Sequence, residues 1–303
     1  MTEQNSTDLS VAASGKALRS VMNFNIGRRL RRIVAYSWVG IVYSFIFAPI
    51  IVVIGSSFDG GSVIAGRAVL QFPPSNLSLQ WYWLIPPSMF QSLWVSVSMA
   101  AISAACGIVI GVPAALGIIR GKFYGKTLMG SLFRAPLQIP FIVIGLAFLQ
   151  SYYFLGDVLG LHMRGTFTGL VLGHVFVATP YVVGAVGAQL QRFNPAYEEA
   201  ALIHGANRWR TFYRVTMPII MPGIYAGGLY AFLISFGDVT ISLFLSGPDL
   251  SPLPVEIFYA LDNDFEPTIT AIASLVVVGS LIILYLIQRL VGMEVLLRGG
   301  GSN

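Results

Sequence analysis

Groups that attack, shuttle protons or hold a metal are sparse in this sequence. The one cysteine, Cys106, lies in the middle of an apolar run. It can form neither an intrachain disulfide nor a cysteine-built metal site, and it reads as a small packing residue. His162, His174 and His204 are scattered without ligand spacing. The stretch Gly121-Lys122-Phe123-Tyr124-Gly125-Lys126-Thr127 approaches a phosphate-binding loop. Such a loop needs four residues between its glycines; here Arg120 stands where the first should be, and no buried strand precedes it. Apolar segments supply no convergent nucleophile, acid–base pair or metal set. The sequence therefore predicts no catalytic residue, no metal and no cofactor in this chain. One acid, Asp238, falls well inside an apolar segment, where a charge costs roughly 2.5–3.5 kcal/mol on insertion scales. Two readings stand: it faces a wet passage and pairs with a cationic solute, or it is held by structural hydrogen bonds. Tyr181 and Gln189 are further candidates to line such a passage.

The elements that must position these residues are membrane helices. Of 303 residues, 55% are hydrophobic and 10% charged, and the mean hydropathy is +0.75. That is too little charge to cover a soluble surface, so lipid is the expected solvent. Apolar runs at Ile33–Phe58, Phe90–Ile119, Ala135–Gly156, Gly165–Gln191, Val215–Gly237 and Pro267–Gln288 predict six spans. The fifth is expected to continue past Asp238 to about Leu245. With six spans, all of the 18 basic residues except Arg67 and Arg164 fall on one side. Positive charge marks the cytoplasmic side, so both termini are expected there, and the net charge of +5 reflects topology rather than affinity for nucleic acid. Residues 1–32 read as a mobile tail, 33–290 as the membrane domain and 291–303 as a second tail. Trp81, Tyr82 and Trp83 fit an interfacial belt. Pro49, Pro113, Pro140, Pro180 and Pro222, with the pairs Gly107–Gly111 and Gly169–Gly173, suggest a packed, bendable bundle.

The second loop on the basic side, 192–218, has its own pattern. Asn194 can cap a helix whose first position suits Pro195. Glu198 and Glu199 then sit in early turns, where the helix dipole favours acids. Gly205 can end that helix in a left-handed conformation. Asn207 can cap a second short helix beginning at Arg208, and Pro218 marks the start of the fifth span. This predicts a compact helix–turn–helix joined to two spans, as a mechanical link to a soluble motor requires.

Glu199-Ala200-Ala201, three residues, Gly205, nine residues, then Val215-Thr216-Met217-Pro218 resembles the coupling loop of permeases from binding-protein-dependent, ATP-driven (ABC) importers. The family's usual Ile-x-Leu-Pro ending is Val-x-Met-Pro here. Ser235-Phe236-Gly237-Asp238-Val239, Ser246-Gly247-Pro248, Leu253-Pro254-Val255-Glu256-Ile257-Phe258 and Leu79-Gln80-Trp81-Tyr82 look like the corresponding regions of spermidine/putrescine permeases. Those relatives tend to carry two adjacent acids where this chain has Gly237-Asp238. The resemblance implies an all-α type I importer (MetI-like) permease fold with six spans and a cytoplasmic coupling helix. It also implies a second homologous permease subunit, two ATPase subunits that bind ATP and Mg²⁺, and an external or periplasmic solute-binding protein. Glu198, Glu199, Ala200, Ala201, Gly205, Arg208 and Pro218 would then serve ATPase coupling. A polyamine is the first solute expected; opines, phosphonates, amino-acid derivatives and thiamine are served by similar permeases. The competing reading is an ion-gradient-driven transporter, which would usually show an internal repeat and more intramembrane ionisable groups.

Overall fold

The computed structural model describes residues 31–64, 67–69, 71–263 and 267–299. The mobile tail expected at the N-terminus therefore lies almost wholly outside the described residues. Helix α1 spans Arg31–Ser56. Most of its side chains point away from the rest of the chain, Trp38 and Phe45 among them, so its stability rests on its own backbone bonds and on what surrounds it.

The segment after α1 is built around one carboxylate. Asp59 is enclosed, and its oxygens accept the backbone N–H groups of Gln71 at 2.8 Å and Ser75 at 3.0 Å. Those bonds to the charged form hold its pKa below the ordinary aspartate value of 3.8. The Asp59 carbonyl takes the Trp81 indole N–H at 2.8 Å. A short antiparallel pair, β1 (Ser62–Ile64) and β2 (Arg67–Val69), sets Ser62 opposite Val69. Helix α2 (Gln80–Trp83) follows. Trp81 and Tyr82 of the expected aromatic belt are thus pinned: Tyr82 Oη hydrogen-bonds with Ser57 Oγ and Ser274 Oγ, both at 2.7 Å. Trp83 stays exposed.

The core is a trio of long helices. Helix α3 is Pro87–Arg120 and α6 is Phe167–Arg192. Helix α9, Met217–Gly237, packs against both. Val182, Val186 and Ile220 are fully buried where the three meet. In lipid the hydrophobic effect does not drive helices together, so close packing of small residues must do so. A side-chain carbon added to Gly227 of α9 would stand 2.8 Å from the Val182 Cα, and one on Gly111 of α3 would stand 2.8 Å from the Val182 Cβ. The small-residue spacing noted in the sequence is used in this way. Helices α3, α6 and α9 run through Pro113, Pro180 and Pro222 without breaking.

The third span differs from its expectation. Its first residues, Ala135–Leu137, form a 3-10 turn, and past Pro140 the helix α5 runs Phe141–Leu159; a separate helix, α4 (Lys126–Arg134), precedes the turn. The fifth span also ends earlier than the sequence suggests. Asp238 is extended, with ψ 126°, and the apolar residues beyond it form a separate short helix, α10 (Thr240–Leu245). Helix α10 docks onto α5 and α6: Leu245 and Ile241 are completely buried, and the Gly165 N–H bonds the Leu245 carbonyl at 2.9 Å. The acidic segment that follows holds a further helix, α11 (Leu253–Asn263). Its first N–H donates to Ser96 Oγ of α3 at 2.7 Å. Helix α12 spans Pro267–Gly299, so the expected tail from 291 is helical up to 299.

By length and apolarity, five helices among the described residues can cross a membrane: α1, α3, α5, α6 and the unit Arg208–Gly237 that contains α9. The apolar portion of α12 described in full, Pro267–Ile282, is shorter, although the helix as a whole is 33 residues long.

Candidate functional site

The loop between α6 and α9 forms a stiff projection. Helix α7 is Ala196–Ile203. Its start is set by Asn194, whose side-chain oxygen accepts the Ala196 N–H at 3.0 Å, and Pro195 takes the first helical geometry. Its end is a Schellman turn: the Gly205 N–H bonds Leu202 O at 3.0 Å, and the Ala206 N–H bonds Ala201 O at 3.0 Å. This requires a left-handed residue, and Gly205 has φ +86°. Asn207 then caps α8 (Arg208–Thr211), accepting the Arg210 N–H at 2.8 Å.

One expectation changes here. The second short helix is not separate from the fifth span. A single π-turn, Phe212–Thr216, joins α8 to α9, with the Met217 N–H bonding Phe212 O. Pro218, in the first turn of α9, has no N–H to close the regular ladder, and a one-residue widening is the local answer. Arg208 through Gly237 is therefore one 30-residue unit.

The expected coupling residues divide by helix face. Glu199, Ala200, Gly205 and Arg208 are exposed, and Ala201, Glu198 and Pro218 are half-buried. The same loop carries uncovered apolar groups: Leu202, Ile203, Trp209 and Tyr213, the last two stacked with centroids 6.4 Å apart. Such residues on a loop rich in arginine suit a protein surface.

Glu198 turns the other way. Its Oε1 accepts Arg120 Nη1 at 2.8 Å and also accepts the Thr216 hydroxyl. The Arg120 guanidinium sits 4.8 Å from the centroid of the Phe193 ring. Lys126 Nζ donates to the Ile119 carbonyl at 3.0 Å, satisfying the end of α3. Sequence reasoning missed Arg120, Phe193 and Thr216 as members of this site. A signal was present: Glu198 and Glu199 are the acids of the two basic-side loops, so an arginine ending a neighbouring span has few other partners.

The three path candidates are not brought together. Asp238 is 6% exposed. Its Oδ2 accepts the N–H groups of Ile241 at 2.9 Å and Ser242 at 3.0 Å, capping α10 from just outside it. His174 Nε2 lies 4.0 Å from that oxygen and 3.0 Å from Ser242 Oγ. This geometry is that of the structural reading of Asp238. Gln189, half-buried on α6, lies against α9 at Gly223: its Cγ is 2.7 Å from where a side chain there would begin. Gly223 and Asp238 are about 22 Å apart along α9 at 1.5 Å per residue. Tyr181, also half-buried on α6, lies between these levels.

Comparisons with known proteins agree with this architecture. A family model described as the binding-protein-dependent transport system inner membrane component matches residues 107–295. The putrescine transport system permease protein PotI of Escherichia coli (strain K12) is 31% identical over 238 residues, covering 77% of this chain and 82% of the relative. The spermidine/putrescine permease PotC of the same strain is 29% identical over 259 residues, covering 85% and 92%. The sulfate transport system permease protein CysT, also from that strain, is 29% identical over 231 residues, covering 73% and 83%. Among solved structures, a bacterial ABC transporter involved in import of the acidic polysaccharide alginate gives a TM-score of 0.68 at 16% identity, covering 86% of this chain and 96% of the other. An inward-facing MetNI methionine ABC transporter gives 0.54 at 19% identity, covering 72% and 98%. The chain belongs to the inner membrane components of binding-protein-dependent transport systems, a family of multi-pass permeases.

Proposed function

We propose that this chain is the permease subunit of an ATP-driven importer for a small polar, cationic solute of the polyamine class, and that α7 couples it to a separate ATPase. The observation that carries the coupling is the shape of the loop. A capped helix closed by Gly205 presents Glu199, Ala200 and apolar side chains outward, while one continuous helical unit leads from its base into the membrane core. ATP and Mg²⁺ bind the ATPase pair, this chain contributing no nucleotide site. A second permease completes the passage, and an external binding protein delivers solute. The projection faces the cytoplasm, on the argument from basic residues.

Closure of the ATPases draws the α7 helices of the two permeases together, and each helical unit carries that movement into α9 and its partners. ATP and the loaded binding protein must both favour the outward-open state, since a ligand shifts an equilibrium only by its differential affinity for the two states. Tyr181 and Gln189 remain our candidates to border the passage. Polyamine specificity is supported by the names of two relatives; a sulfate permease of comparable similarity shows that this scaffold serves other solutes.

The test is purification from the native membrane. An ATPase retained with the chain, and uptake that needs ATP, support the proposal. Uptake that follows a proton gradient without ATP overturns it. Gly205→Asp and Glu199→Lys are expected to insert normally yet lose most transport-linked ATP hydrolysis; parental stimulation in both variants removes the coupling assignment. Ligand binding to the cognate external receptor decides the solute.

A further inference from the structure

Arg120 ends the second span and has no place in the coupling pattern that the sequence displays. In the structure it is the hub of a clamp on the hidden side of α7. Its guanidinium bonds Glu198 Oε1 at 2.8 Å and lies 4.8 Å from the Phe193 ring centroid. The same carboxylate oxygen accepts the Thr216 hydroxyl. Four segments therefore meet around the Arg120–Glu198 pair: the end of α3, the exit from α6, helix α7 and the π-turn that opens α9. Apart from this clamp, α7 is held by its two chain ends, by the Tyr197 ring set edge-on to Phe193 with centroids 6.3 Å apart, and by its packing on α8 and the π-turn. None of these is a directional charge pair, so a short helix held by them alone can swivel when pushed.

The side-chain exposures of Arg120 and Glu198 are 34% and 26%. The pair is thus partly shielded, and it is crowded by an aromatic ring, so it holds geometry better than a fully solvated pair. The carboxylate also accepts two donors from different elements, which fixes its direction as well as its position.

We infer that Arg120 is a positioning residue for coupling: with Thr216 it grips Glu198 so that the outward face of α7 moves as one body with α3 and α9. The inference rests on the coupling role proposed for the loop, and its test separates the two. The full assembly, with both permeases, the ATPases and the loaded binding protein, is placed in liposomes. Cys106→Ser with Ile203→Cys provides a parent whose α7 can be crosslinked to the ATPase. Into it are introduced Arg120→Gln, Glu198→Gln, and the exchange of Arg120→Glu with Glu198→Arg.

The expected result is a crosslink in every variant. Solute moved per ATP falls about three- to tenfold in each single variant, a range typical of altered coupling, and the exchange restores the greater part of it. Rescue by exchange distinguishes a charge-pair clamp from a general loss of structure. Single variants that match the parent in solute per ATP overturn the inference, as does an exchange no better than either single change. A parent that gives no crosslink overturns the coupling reading beneath it.

Discussion

Glu198 and Glu199 are neighbours of the same type, yet their surroundings differ because an α-helix turns about 100° per residue. One is gripped by Arg120 and Thr216, and the other is left exposed. The sequence placed both on a short helix but could not phase that helix against a partner span. Asp238 shows a related limit. Its lone charge inside an apolar stretch was visible, whereas the use of that charge depended on a backbone break at Asp238 itself. A capping role predicts that Asp238→Asn keeps transport and solute preference, because asparagine caps nearly as well. Asp238→Ala is expected to cost about 0.5–2 kcal/mol, read as a lower melting temperature of the purified subunit. Asp59 makes the pH prediction. Its folded pKa is depressed below 3.8, so its contribution is complete above that value and lost as pH falls through the lower folded one. Protease resistance of the segment after α1 should hold at neutral and mildly acidic pH and fail only in stronger acid. Asp59→Ala should expose it at neutral pH.

Among elements, the helices legible in the sequence are those whose apolar length exceeds anything a loop would carry. The misses share a cause. Val239–Leu245 is as apolar as the span before it, so composition could not report that α9 stops and α10 begins. The α8–α9 junction erred in the other direction: Pro218 looked like a boundary, and a π-turn carries the helix through it. Close contact of α6 with α9 also escaped, because glycines in membrane helices are common and only a partner shows which are filled. Gly227 is filled on one side by the Val182 Cα. Gly227→Val is expected to force the helices apart at a cost of about 1–3 kcal/mol. Gly184→Val, at a glycine with open space around it, should leave the melting temperature close to that of the parent.

Over the molecule as a whole, the buried apolar residues among those described form three groups rather than one core. One lies among α3, α6 and α9, one beneath α10, and one joins α2, α3, α11 and α12. Membrane proteins tolerate such division because lipid, not a single oily centre, satisfies the outward faces. Helix α1 is the extreme case, since its most apolar window has none of its residues buried. The class of protein could be read from composition and charge, and five of the six expected spans are long apolar helices among the described residues. Which faces remain open to other subunits could not, because an apolar surface reads alike against lipid and against protein. The orientation proposed from basic residues has a direct check in intact cells and inverted vesicles. A cysteine at Ile203 should react with an impermeant thiol reagent only in inverted vesicles, and one at Leu77 only in intact cells; the reverse pattern would overturn the topology.

The unbroken 30-residue run from Arg208 to Gly237, about 45 Å long, bears on how hybrid permeases should be built. A graft that replaces residues 194–211 alone leaves its seam one turn inside the rod, directly before the widened turn. Carrying the donor segment through to Gly237 places the seam at the natural bend before α10. Hybrids of the second kind are expected to retain ATP-linked transport more often than hybrids of the first.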